Sequence, residues 1–204
     1  MTSEITCFKA YDIRGRIPDQ LNDGVAYRIG RAYAAYLAPR QVVVGYDIRL
    51  SSERLCAALT EGLTDGGADV INIGRCGTEE IYFATSYMQV DGGIVVTASH
   101  NPKDYNGMKL VREESRPISG DTGLEEIRRI AERNEFAEVV TKGTISKQDT
   151  KTAYLEHLLT YVQKDSLKPL KIVCNAGNGG AGAVIDLLEQ HLPFEFIKVH
   201  HEAD

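Results

Sequence analysis

Gly93-Ile94-Val95-Val96-Thr97-Ala98-Ser99-His100-Asn101-Pro102 runs an apolar, mostly β-branched stretch into a polar turn. Side chains of that kind fit a buried strand, and Asn-Pro stops the ladder, so Ser99 is expected where the chain leaves the strand's carboxyl end. Open α/β sheets place their ligand crevices at that edge. Asp104-Tyr105-Asn106-Gly107 then reads as a turn and Met108-Lys109-Leu110-Val111 as a returning strand, which brings Lys109 back close to Ser99.

Upstream, Phe8-Lys9-Ala10-Tyr11-Asp12-Ile13-Arg14-Gly15-Arg16 gathers three cations around a tyrosine in a segment too irregular for a helix, and it reads as a loop. Val25, Ile29, Tyr33 and Tyr36-Leu37 recur at helical spacing from about Asn22 until Pro39 ends the run. Val42-Val43-Val44-Gly45-Tyr46 reads as a buried strand. Leu55, Leu59 and Leu63 mark a helix that Ser51 or Ser52 can cap and Gly66-Gly67 stops. Val70-Ile71-Asn72-Ile73 is the next strand, and Gly77-Thr78 opens a helix through Ile81, Phe83, Ala84 and Tyr87. Strands alternating with helices in this way predict an α/β domain with parallel strands.

A helix over Leu124 to Arg133 closes that unit, and Glu135 to Thr150 is polar and aperiodic enough to be a join. The first domain is thus expected over residues 1–145. From 150 to 204 the pattern predicts a helix (Thr152 to Gln163), a strand (Leu170 to Cys174), a helix (Ala183 to Gln190) and a strand (Phe194 to Val199), the opening of a second domain. No internal repeat or low-complexity tract is read.

Composition narrows the function. A net charge of -6 and a pI near 5.4 give no global field for nucleic acid, and no run of basic residues supplies a local one. Met1-Thr2-Ser3-Glu4-Ile5-Thr6-Cys7 lacks the basic start and apolar stretch of a signal peptide, and no long apolar run suggests a membrane, so a cytoplasmic protein is expected. Cys7, Cys56, Cys76 and Cys174 lie far apart with no C-x-x-C pair and read as reduced, structural thiols.

Ser99 has three readings. It can bond its own turn, the default for a strand-end serine. It can be a hydrolase nucleophile, which the lack of G-x-S-x-G and the difficulty of turning the His100 ring onto a neighbouring hydroxyl disfavour. It can also carry a phosphoryl group between donor and acceptor, splitting one transfer into two positioned steps. A phosphate monoester brings close to two negative charges, which an acidic protein must meet with cations gathered locally, and Lys9, Arg14, His100 and Lys109 can do so.

The segments F-K-A-Y-D-I-R-G, T-A-S-H-N-P and D-Y-N-G-M-K together resemble the α-D-phosphohexomutases, and the phosphomannomutase branch in particular. The likeness runs over all 204 residues, as an amino-terminal portion. It implies a three-layer α/β/α domain with a mixed, mostly parallel sheet, then the start of a similar one. It also implies exchange of mannose 6-phosphate and mannose 1-phosphate through a sugar bisphosphate that serves as intermediate and activator. By the same resemblance Ser99 carries the phosphoryl group and contacts Mg²⁺ through its phosphate. Lys109 and His100 move protons, Arg14 holds the transferring group, and Lys9, Tyr11 and Asn101 support the substrate. Glucose in place of mannose, or a non-catalytic phosphosugar-binding remnant, are the alternatives. The family's D-G-D-x-D-R metal loop is not among these residues, so the resemblance implies a truncated chain that is inactive alone. It says nothing of oligomeric state.

Gly177-Asn178-Gly179-Gly180-Ala181-Gly182 fits G-x-G-x-x-G between a strand and a helix, with Glu195 or Glu202 beyond it as ribose partners. A tight turn that needs glycine is the favoured reading, because the resembling family has such a turn and uses no nicotinamide. Gly77-Thr78-Glu79-Glu80 reads as a helix start and resembles the phosphomannomutase branch. His157, His191, His200 and His201 show no ligand spacing.

Overall fold

The computed structural model describes residues 4–204; Met1, Thr2 and Ser3 of the amino-terminal segment read above lie outside the described residues. The chain divides into two compact units, one up to Gln148 and one over Asp149–Asp204.

The first unit opens with strand β1 (Ile13–Arg16) and helix α1 (Asp23–Leu37). Asn22 caps α1 by accepting the Val25 amide, and Ala38 closes it in a left-handed conformation just before Pro39. Strand β2 (Gln41–Tyr46), helix α2 (Ser52–Asp65), strand β3 (Asp69–Arg75), helix α3 (Thr78–Tyr87) and strand β4 (Gly92–Val96) follow as the hydrophobic pattern dictates. Strand β5 (Tyr105–Arg112), helix α4 (Leu124–Arg133) and strand β6 (Ile145–Lys147) complete the unit. Six strands form one sheet in the order β1-β5-β4-β2-β3-β6. Pairing is parallel from β4 to β6, while β5 runs antiparallel to both β4 and β1, so the sheet is mixed and mostly parallel.

Alternation along the strands builds two cores. Val42, Val44, Ile94, Val96 and Met108 face α1, α2 and α4, whereas Val43, Ile73 and Val95 face Ile81 and Ala84 of α3. Helices thus cover both faces of the sheet, which is why its central strands read as unbroken apolar runs.

Three readings need correction. Ile13–Arg16 is strand, not loop: Phe8 bridges Ile13, the Lys9 amide donates to the Asp12 carbonyl at 2.8 Å, and Lys9 to Asp12 form the tip of a hairpin. Tyr105-Asn106-Gly107 already belongs to β5, and the turn is Pro102 to Tyr105, closed by the Tyr105 amide on the Pro102 carbonyl. The stretch read as a polar join contributes β6, an edge strand parallel to β3. With one neighbour it needs no apolar alternation. Backbone pairing holds it, helped by Thr144, whose amide and hydroxyl both donate to Asp69 at 2.7 Å.

The second unit has helix α5 (Lys151–Leu159), strand β7 (Lys171–Asn175), helix α6 (Ala181–Glu189) and strand β8 (Glu195–Val199), with β7 and β8 paired in parallel. α5 stops at Leu159, short of the expected Gln163. Between β7 and α6 the glycine-rich turn places Gly177 and Asn178 at positive φ, and Asn178 donates to the Glu202 carbonyl at 2.8 Å. Glu195 pairs with Lys171, so the turn reads as backbone geometry rather than a nucleotide cradle.

Candidate active site

The candidate residues gather at the carboxyl end of β4. Past Val96 the chain turns through Ser99, whose φ of 52° lies in the left-handed region that costs a non-glycine residue about 1 kcal/mol. The Ser99 amide donates to the Thr97 hydroxyl at 3.0 Å, and the Asn101 amide and side chain both donate to the Ala98 carbonyl. In this conformation Ser99 Oγ and His100 Nδ1 approach to 3.3 Å. The neighbouring ring does turn back onto the hydroxyl, contrary to expectation, because the left-handed residue brings successive side chains to one side. No carboxylate is paired with His100 among the described residues, so a triad is not assembled.

β5 and β1 supply the cations. Lys109 lies opposite Val95, and Arg14 opposite Gly107, so both side chains stand on the α3 face of the sheet, next to the Ser99 loop. Gly107 is required there: a Cβ on it would sit 2.0 Å from the Ile13 carbonyl oxygen and part β1 from β5. Between the two cations lies Asp12, only 8% exposed, which accepts from Arg14 Nε at 2.9 Å and from Lys109 Nζ at 3.4 Å. The other guanidinium donors of Arg14 have no protein partner among the described residues, and they remain free for an anion. Tyr82 of α3 flanks this row, its phenol raised first by burial and then by the Glu79 and Asp12 carboxylates.

A second aspartate-arginine pair holds the loop. Arg49 follows β2, and the main chain there is fixed by the Asp47 amide on the Val96 carbonyl. Its side chain donates to four carbonyl oxygens: Ser99 at 2.8 Å, Asn101 at 2.5 Å, Pro102 at 2.8 Å and Tyr105 at 3.0 Å. Asp47 pairs with the guanidinium and accepts from the Arg49 amide and Ser52 Oγ. Ser52 Oγ and Ser51 Oγ in turn accept from fully buried Asn106. Ser51 and Ser52 therefore tie α2 to β5 and do not cap the helix with their side chains.

Of the residues singled out from sequence, Ser99, His100, Asn101, Lys109 and Arg14 converge. Lys9 does not join them: its ammonium folds onto the Thr6 carbonyl at 2.9 Å, and it lines a depression with Phe8, Gly120 and Leu124. Tyr11 stands exposed at the hairpin tip. Sequence reasoning missed Asp12, Asp47, Arg49 and Asn106. One signal was present, the tetrapeptide Tyr-Asp-Ile-Arg at residues 11–14 and again at 46–49.

The remaining candidates are structural. Glu80 accepts from the Gly77 amide at 2.9 Å and starts α3. Cys7, Cys56 and Cys76 are buried and Cys174 is partly buried, all four outside any disulfide. His201 pairs with Asp186 of α6. No group of three or more histidine, cysteine or acidic side chains able to hold a metal ion occurs among the described residues, and both carboxylates near Ser99 are already engaged. The described residues do not by themselves assemble a divalent-ion site. No described helix is long and apolar enough to cross a membrane.

Residues 6–138 match the family model described as "Phosphoglucomutase/phosphomannomutase, alpha/beta/alpha domain I". The chain is 56% identical to a phosphomannomutase of Salmonella typhimurium, over 99% of this chain and 46% of that protein. It is 57% identical to a phosphomannomutase of Vibrio cholerae, over 98% of this chain and 46% of that one. A solved structure of a phosphoglucomutase/phosphomannomutase family protein from Burkholderia thailandensis matches with a TM-score of 0.89 at 35% identity, over 100% of this chain and 45% of that chain. The chain thus spans about half the length of the relatives it matches.

Proposed function

Because the chain belongs to the phosphoglucomutase/phosphomannomutase family, we propose that it serves phosphoryl transfer between two hydroxyls of a hexose phosphate, with Ser99 as the carrier. The observation that carries this reading is the pairing of a strand-end serine, held in a left-handed turn, with two cations on adjacent strands of one sheet face. The names of the relatives favour mannose 6-phosphate and mannose 1-phosphate as the exchanging pair, with a hexose bisphosphate between them.

In the proposed sequence a phosphoryl group rests on Ser99 Oγ. A sugar hydroxyl attacks phosphorus in line, the bond from phosphorus to Oγ breaks with its electron pair on Oγ, and the hydroxyl proton passes to a neutral base, the His100 imidazole or Lys109 in its unprotonated amine form. The resulting bisphosphate turns over, returns its other phosphoryl group to Oγ and recovers the proton at its leaving oxygen. Arg14 meets the charge on the equatorial oxygens with its free donors. By the resemblance Asn101 and Tyr11 would support the sugar, Asn101 from the Ser99 loop and Tyr11 from the exposed hairpin tip, and Lys9 would act only from the hairpin side. Members of the family generally use Mg²⁺, which supplies charge neutralisation when bound.

Intact mass and peptide mapping after incubation with mannose 1,6-bisphosphate and Mg²⁺ test the carrier. One phosphate on Ser99, lost in Ser99→Ala, is expected. Stoichiometric phosphate on another serine, or phosphate retained in Ser99→Ala, would overturn the assignment.

A further inference from the structure

We infer that Arg49 is the positioning residue of the Ser99 loop, a four-carbonyl clamp that keeps Ser99 in its left-handed conformation with Oγ beside His100 Nδ1. This rests on the phosphocarrier reading for its functional meaning, although the clamp itself is a property of the fold. Both terminal nitrogens of the guanidinium are spent on carbonyls, two each, and Nε stands 3.6 Å from the Asp47 carboxylate in an ion pair. The fork that would grip an anion is occupied, so Arg49 acts on the reaction through the loop.

Of the four accepting residues, Ser99 and Asn101 donate their own amides to the Thr97 hydroxyl and the Ala98 carbonyl, Pro102 has none, and the Tyr105 amide joins the guanidinium on the Pro102 carbonyl. The four carbonyls converge because the loop reverses direction over a short span. Carbonyl dipoles pointed at one spot repel each other unless a cation stands among them, and a planar fork meets four oxygens as a compact ammonium cannot. The strain at Ser99 gives the clamp its consequence. A non-glycine residue at φ 52° relaxes toward the ordinary right-handed or extended regions once its carbonyl is released, and Oγ then swings away. Asp47 sets the clamp by holding the guanidinium from behind, and the Ser52 and Asn106 bonds anchor Asp47 to α2 and β5.

Hydrogen exchange of residues 97–105 in the chain, compared for wild type, Arg49→Lys, Arg49→Met and Asp47→Asn, tests this directly. The Ser99, Asn101 and Tyr105 amides are expected to exchange at least about tenfold faster in Arg49→Met and Arg49→Lys, with α1 and α2 protection unchanged, and Asp47→Asn to fall between. Ethylguanidinium added to Arg49→Ala should restore part of the protection. Unchanged loop exchange in Arg49→Met, or acceleration spread evenly over the first unit, would overturn the clamp. A second arm follows phosphate uptake by Ser99 from the bisphosphate: Arg49→Lys should slow it about tenfold or more with half-saturation unchanged, and altered half-saturation at normal rate would place Arg49 on the ligand instead. A wild-type chain that takes its phosphate on another serine, with the exchange result as expected, sinks the carrier reading and upholds the clamp.

Discussion

Asp12→Asn removes the one negative charge that sits between Arg14 and Lys109 while leaving the side-chain volume in place. The Asp12 side chain is 11% exposed, and its partners are 25% and 30% exposed. Hydrogen bonds to charged groups contribute about 1.5–3 kcal/mol each, but the Lys109 contact at 3.4 Å is long and both cations keep access to water. The asparagine oxygen can still accept one donor. A net loss of about 1–2 kcal/mol is therefore expected, well short of the roughly 3–5 kcal/mol for breaking a fully buried pair. Urea unfolding at neutral pH, followed by circular dichroism, reads this as a lower midpoint with an unchanged slope. The sign of a second effect follows from the same geometry: with Asp12 neutral, two cations face each other and an anion relieves them. Added phosphate should thus recover more stability in Asp12→Asn than in wild type. A double-mutant cycle with Arg14→Ala should give a coupling of at least about 0.5 kcal/mol. Additive single effects, with no extra response to phosphate, would refute the idea that Asp12 balances these two cations.

Two further outcomes are expected. Tyr33→Phe removes a fully buried hydroxyl that donates to the Val111 carbonyl at 2.7 Å, and should cost about 1–2 kcal/mol by urea unfolding; an equal midpoint would show the bond to be replaceable. Burial pushes the Cys7 and Cys56 thiols up from 9.0 to about 12, so both are neutral in the folded state where the unfolded chain would ionise them. Their contribution is whole below pH 9 and is lost as pH rises through about 12, on the order of 1.4 kcal/mol per thiol for each unit. A Cys7→Ala/Cys56→Ala variant with the same loss of stability between those pH values would assign the alkaline limb to other groups.

Most of the fold was legible because its signal is local. Helices α1, α2 and α4 carry apolar residues at helical spacing, and β2 and β4, covered on both faces, carry unbroken branched runs. What escaped was held by long-range pairing. β1 and β6 are edge strands of four and three residues, too short to show a period and stabilised by β5 and β3 from far along the chain. The start of β5 was hidden by Asn106-Gly107, a pair that spells a turn. Here Asn106 is wholly buried because Ser51 and Ser52 accept its amide, and Gly107 has no side chain because the Ile13 carbonyl occupies the space.

The site shows the same limit more sharply, in two copies of one tetrapeptide. Tyr11-Asp12-Ile13-Arg14 and Tyr46-Asp47-Ile48-Arg49 each form an aspartate-arginine pair, yet their arginines end in opposite conditions. Arg14 lies within β1, opposite a glycine, and among the described residues Asp12 alone holds it, from one side; most of its donors stay open to solvent or ligand. Arg49 comes one step after β2 has ended, where the returning loop turns four carbonyls inward, and it is used up on them. Local sequence cannot separate these outcomes, since the difference lies in which distant backbone each guanidinium meets. On the proposed reading the pair divides the work a phosphoryl carrier requires. One arginine would be fixed so that the serine cannot drift, and the other left unsatisfied so that an anion has something to bind. Exchanging those conditions would disable both, because a free Arg49 would release Ser99, and an Arg14 saturated by main-chain oxygens would offer a phosphate nothing.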